Sequence, residues 1–151
     1  MDPLGEDVYY INRVLGGEQA TKSSFSHSFV ALTNINPKTK EEIVTTTISW
    51  GNKEESKWFI NDPDDLKAAQ DAINRNIGKK KYGGENLEKY IIKAFNEIKD
   101  QKEEYNLLFN NCKQKALELI KKAISLQKKD FKMEKIKKIQ NAFKHKAKNK
   151  D

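Results

Sequence analysis

A single cysteine, Cys112, opens the run Cys112-Lys113-Gln114-Lys115-Ala116-Leu117. One cysteine excludes an internal disulfide framework and any multi-cysteine zinc site. Only two histidines, His27 and His145, accompany it, which argues against a histidine-rich metal centre. Cys112, Ala116, Leu119 and Ala123 fall on one helical stripe, with Leu117, Ile120 and Ile124 beside it. Asn110 and Asn111 stand just before this run, and asparagine there is a helix N-cap signal. The thiol is therefore expected in the first turn of a late helix, on its inward face. Free backbone N–H groups and the positive end of the helix dipole favour a thiolate at that place. The same pattern also suits a small buried hydrophobe.

The rest of the chain supplies a small antiparallel sheet packed on helices, an α+β domain. The segment from Ser23 to Leu32 is rich in small, aromatic and β-branched residues and reads as a strand. Alternation puts His27, Phe29 and Ala31 on one face and Ser28, Val30 and Leu32 on the other. Asn34 to Glu42 is a loop, and Ile43 to Trp50 a second strand forming a hairpin with the first. That hairpin sets His27 near Ser49 to Asn52. Lys57 to Ile60 suits a third strand. Asp62-Pro63 reads as an N-cap followed by proline at the first helical position. The helix it opens carries the stripe Leu66, Ala69, Ile73, Ile77 and ends at Gly78. Lys79 to Gly84 reads as a basic loop. Leu87 to Ile98 is the clearest amphipathic helix. The segment from Tyr9 to Gly17 resists assignment, and Tyr105 to Phe109 reads as buried or strand-like.

The formal net charge is +7, with much of the lysine after Cys112. Met133, Ile136, Ile139 and Phe143 recur at helical spacing among lysines, which describes a basic amphipathic helix. Such a helix covers its own domain, lies on an anionic membrane or meets a partner; Lys135, Lys138 and Phe143 are the contact candidates. No apolar run approaches membrane-spanning length, and no secretory signal pattern opens the chain. Three segments result: residues 1–20 as an N-terminal junction, 21–126 as the domain that carries chemistry, and 127–151 as the basic helix and tail.

A cysteine at a helix start and a histidine at a strand start form a nucleophile–base pair if the fold joins them. His27 is the base, because His145 sits in the lysine-rich tail. A third polar group has to hold the ring. Ser49 and Asn52 are the candidates for it, with Thr47 behind them. The backbone N–H of Cys112 is one donor to a developing oxyanion, and Asn111 is a candidate for another. No cofactor is implied.

The pattern His-x-Phe-x-x-Leu at Ser26 to Leu32, a second strand, then Asn111-Cys112 opening a helix resembles the permuted papain-like fold. That group includes the lecithin:retinol acyltransferase-like thiol enzymes. The segment Tyr105 to Cys112 is similar to the cysteine motif of papain-like domains ending bacterial polymorphic toxins. Those acyltransferase-like enzymes use a second histidine as third residue, and none occurs here between Ser28 and Lys144. Asp2-Pro3-Leu4-Gly5 resembles the DPxG sequence that closes the shell of RHS-repeat proteins, just before a C-terminal toxin. The resemblance implies an effector toxin of interbacterial competition, of the kind delivered into a target bacterial cell by type VI secretion. Its partners are then the RHS shell, the secretion apparatus and a cognate immunity protein. The implied activity is a cysteine hydrolase or acyl-transfer reaction through a thioester on an amide or ester. The alternatives are a nuclease, motivated by the charge and by Lys79-Lys80-Lys81, or a non-enzymatic membrane- or partner-binding module. Nucleic acid ranks below the membrane surface as a partner.

Overall fold

The computed structural model describes residues 6–51, 56–101 and 111–148. Asp2 to Gly5, Asn52 and Tyr105 to Asn110, which carry several sequence expectations, lie outside the described residues. The chain is an α+β structure with five strands in one antiparallel sheet. In chain order the elements are β1 (Glu6–Arg13), β2 (His27–Ile35), β3 (Glu42–Trp50), β4 (Trp58–Ile60), α1 (Pro63–Arg75), β5 (Lys79–Tyr82), α2 (Leu87–Ile98) and α3 (Cys112–Lys148). The strand order is β4-β3-β2-β1-β5, so β2 is central.

Alternation along β2 builds two cores. Val30 and Leu32 join Val8 and Ile48 against α2 and α3, in a cluster with Ile91, Leu119 and Ile120. Phe29 and Ala31 join Tyr9 and Ile11 against Ala68, Ala69 and Ala72 of α1. Helices therefore cover both faces of the sheet. The small residues on α1 let that helix approach closely, and the larger side chains of β1 and β2 fill the space between. The expected β2–β3 hairpin is present, with a register shift between Leu32 and Thr33.

The structure corrects the sequence reading at three places. The unassigned segment opens within β1, which pairs with β2 along its whole length and with β5 on its other side. Its alternation is masked because Tyr9 and Ile11 face one core while Val8 and Tyr10 face the other. The basic loop is the edge strand β5. Lysine suits an edge strand, where it discourages further pairing. Its stems also find partners, with Lys79 over the Tyr9 ring, Lys80 over the Tyr82 ring, and Lys81 3.1 Å from Asp7. The first helix stops at Arg75, three residues before Gly78. Asn76 caps it in the left-handed region, its N–H bonded to the Ala72 carbonyl. Gly78, at φ +62, then packs onto the Thr21 and Asn12 backbones, where a Cβ would meet the Thr21 carbonyl oxygen at 2.6 Å. The helix that opens at Cys112 continues into the tail. α3 runs for 37 residues, and the boundary drawn at 126/127 falls inside it.

The first half of α3 is packed, burying Cys112, Ala116, Leu119, Ile120 and Ala123. Its last ties to the body are Gln127, which donates to the Glu85 carbonyl at 2.7 Å, and Asp130, which accepts from the Tyr90 hydroxyl at 3.0 Å. Every residue from Phe131 to Lys148 is exposed. The amphipathic tail does not cover the domain. Leu119→Ala is expected to cost about 2–5 kcal/mol through a cavity in the main core, and Ile139→Ala less than about 0.5 kcal/mol. Urea unfolding of the two variants measures the contrast.

Candidate active site

Three chain segments converge where β2 begins. The first turn of α1 and the first turn of α3 both end there, and His27 stands between them as the first residue of β2. Each helix start has a sequence cause. Asp62 caps α1 by accepting from the Asp64 and Asp65 N–H groups, with Pro63 following it at the start of the helix. Asn111 caps α3 by accepting from the Gln114 N–H at 2.9 Å. Two helix N-termini, each favouring negative charge, thus flank one imidazole.

The residue from α1 is Asp65, which is 1 % exposed. Its Oδ1 lies 3.4 Å from His27 Nε2 and accepts from Arg13 Nε at 2.7 Å. His27 and Cys112 also share a hydrogen bond. The ring is further held by stacking on Phe29, centroid to centroid 5.7 Å. Cys112 is buried and also receives a backbone hydrogen bond from Ser28. Beside it Lys113 Nζ donates to Ser26 and Ser28 hydroxyls, both at 2.9 Å, and Ser28 donates onward to Asn12 at 2.5 Å.

These contacts set the protonation states. Burial alone would lower the His27 pKa, but hydrogen bonds to Asp65 and Cys112 and the two negative charges outweigh it and raise it to about 9. Burial alone would raise the Cys112 pKa. The hydrogen bond from His27, the Ser28 N–H, and the His27 and Lys113 charges outweigh that and lower it. Burial also opposes ionisation of Asp65, yet His27, Arg13 and Ser49 keep its pKa below the usual carboxylate range. Both shifts act in the same direction, toward a thiolate beside an imidazolium.

This group forms the floor of a cleft of about 740 Å³. Leu15, Phe25 and Phe59 give the cleft apolar walls, and Phe25 is 82 % exposed. Asp62, Asp64 and Arg13 supply charge around the floor. Among the described residues, no group of three or more His, Cys, Asp or Glu is arranged to hold a metal ion.

Of the residues expected from sequence, His27 and Cys112 are together, Ser49 and Asn111 line the same cleft, and Thr47 is buried behind. Asn52 lies outside the described residues. The group on the imidazole is Asp65, which sequence reasoning missed, along with Arg13, its second partner. A signal for Asp65 existed. It stands at i, i+3, i+4 and i+7 with Ala68, Ala69 and Ala72, so a carboxylate lies on the buried stripe of its helix. Taking Leu66 as the stripe's first member displaced the stripe by one position. Comparison with protein-family models, curated proteins and solved structures finds no match to this chain.

The two displaced pKa values open a window of pH in which the ion pair persists, from the lowered thiol pKa up to about 9. Cys112 should therefore react with iodoacetamide well below pH ~8.5, the midpoint of an ordinary thiol. His27→Ala should move the inflection upward, since burial then acts without its main offset. Asp65→Asn should lower the His27 pKa and reduce the thiolate fraction at neutral pH. A wild-type profile like that of free cysteine would contradict this assignment.

Proposed function

We propose that this chain is a cysteine-dependent hydrolase or acyl-transfer enzyme, with Cys112 as nucleophile, His27 as acid and base, and Asp65 as the residue that orients and charges the ring. The observation that carries the reading is the order Asp65, His27, Cys112 along one line of hydrogen bonds on the floor of an open cleft. A structural thiol would gain nothing from an imidazolium beside it, whereas acyl transfer requires one.

The chemistry follows from the positions. The Cys112 thiolate adds to the carbonyl carbon of an amide or ester. The resulting oxyanion is stabilised by backbone N–H groups at the start of α3, and the Lys113 ammonium adds positive charge nearby. Collapse expels the amine or alcohol, which takes its proton from the His27 imidazolium, and leaves a thioester on Cys112. Water, or an acceptor amine or alcohol, then attacks the thioester and gives its proton to His27. The thiolate is released with an acid, amide or ester product. Asp65 stays ionised throughout and steadies the imidazolium each time it forms.

The order of His27 before Cys112, each at the head of its element, supports a permuted papain-like relationship. Asp65 in place of a second histidine separates the site from the acyltransferase-like branch. With the resemblance of Asp2 to Gly5 to the RHS boundary, the reading extends to an antibacterial effector toxin acting in a target cell. A cognate immunity protein in the producing cell is part of that reading.

Expression in a bacterial host tests the proposal. The wild-type chain should arrest growth, while Cys112→Ala and His27→Ala should be harmless with unchanged circular dichroism. Turnover of a p-nitrophenyl ester should fall roughly 10²–10⁴-fold in His27→Ala. Full toxicity of Cys112→Ala would end the proposal.

A further inference from the structure

The exposed half of α3 carries an apolar stripe that points away from the body. At about 100° per residue, Met133, Ile136, Ile139 and Phe143 centre about 135° around the helix from the face that Cys112, Ala116, Leu119 and Ala123 press onto the core. A straight helix cannot turn this second stripe onto its own domain. The stripe is exposed along its length, from Ile136 at 40 % to Phe143 at 70 %. Residues 128–148 also hold nine lysines against Asp130 and Glu134, a difference of seven positive charges. That equals the formal charge of the whole chain, +7, so the rest of the chain is neutral in sum.

We infer that this half of α3 is a docking surface for a bilayer carrying anionic lipid headgroups. The placement of the lysines decides the occupant. Lys135 and Lys146 border the stripe on one side, Lys137 and Lys144 on the other, and all four are exposed. A planar negative surface meets both borders at once while the apolar side chains enter the headgroup boundary. A second copy of the helix would instead set lysine borders against lysine borders, with two carboxylates per helix to offset them. Of these Asp130 is already engaged by Tyr90. Lys138, an expected contact, lies on the side opposite the stripe and takes no part.

The helix lies on the surface and does not cross it, since no described helix is long and apolar enough to span a membrane. The stripe's centre is about 26 residues beyond Cys112, roughly 39 Å along the helix axis. The body is carried on the helix face turned away from the lipid. The contact therefore anchors the domain and does not press the nucleophile into the bilayer.

Sedimentation of the full chain with vesicles tests this, using phosphatidylcholine alone and phosphatidylcholine with a minor fraction of phosphatidylglycerol. Wild type should sediment with the mixed vesicles and stay in solution with the neutral ones. The double variant Ile136→Glu, Ile139→Glu should lose more than about tenfold in partitioning, and Lys137→Glu with Lys144→Glu should lose a comparable amount. Both pairs are exposed, so unchanged melting temperatures and an unchanged Cys112 alkylation rate are expected. Failure of wild type to bind the mixed vesicles would overturn the inference. So would equal binding by the Ile136→Glu, Ile139→Glu variant, or a wild-type dimer on size exclusion that the variant abolishes without any lipid binding.

Discussion

Five ionisable groups stand in a row beneath the cleft, Arg13, Asp65, His27, Cys112 and Lys113, and their signs alternate when each is ionised. Asp65 answers both Arg13 and His27 through one oxygen, and His27 in turn answers both Asp65 and Cys112. Taking a charge out of water is costly unless a partner meets it, and at Asp65, His27 and Cys112 the neighbours in the row offset the cost of burial. The two negative members occupy first turns of helices, where backbone N–H groups add to the attraction. The pKa of His27 near 9 is a property of this row and not of the ring. Removing Asp65 would leave Arg13 and His27 facing each other across the β1–β2 pairing, where they are cross-strand partners.

The sheet places this row. Because side chains alternate on a strand, β2 delivers His27 and Phe29 to the α1 side and Ser28 and Val30 to the α3 side. His27 can meet both helices because it is the strand's first residue, at the rim where neither layer closes over it. One residue further along, the two sides are separated by the full sheet. Ser28 serves the other side of the same rim, with its N–H on the Cys112 sulfur and its hydroxyl between Lys113 and Asn12. A one-residue slip of β2 would exchange these roles, and the paired registers on both sides of the strand oppose it.

Much of this was legible in the sequence, and the failures share a cause. The hairpin, the α2 helix and the Asp62-Pro63 cap each follow from local chemistry, and so does the placement of Cys112 and His27 at element starts. β1 and β5 were hidden because both cores draw on β1 and because lysine dominates β5, so neither shows alternation on a single face. Asp65 was hidden because it is a charged residue on a buried stripe. Its burial makes sense only once Arg13 and His27, distant in the chain, are seen beside it. Ser49 was sought as the partner of the ring and stands instead beside Asp65, helping to keep it ionised. Local pattern gives elements and their ends; a buried polar group is specified by neighbours that no local window contains.

The same distinction governs how the charge of the chain is understood. A net charge of +7 invites the idea of a polyanion in the active site, yet the excess lies in residues 128–148. The cleft itself presents Asp62, Asp64 and Asp65 with Arg13, His27 and Lys113, a mixed set whose members neutralise one another. Lys79, Lys80 and Lys81, the other basic run, lie on β5 at the edge of the sheet, and none of them lines the cleft. Basicity therefore bears on what the far half of α3 meets. An apolar rim over a thiol with a lowered pKa fits the proposed uncharged carbonyl better than a phosphate backbone. One helix changes the side on which its apolar residues lie, so that its first half belongs to the core and its second half faces outward.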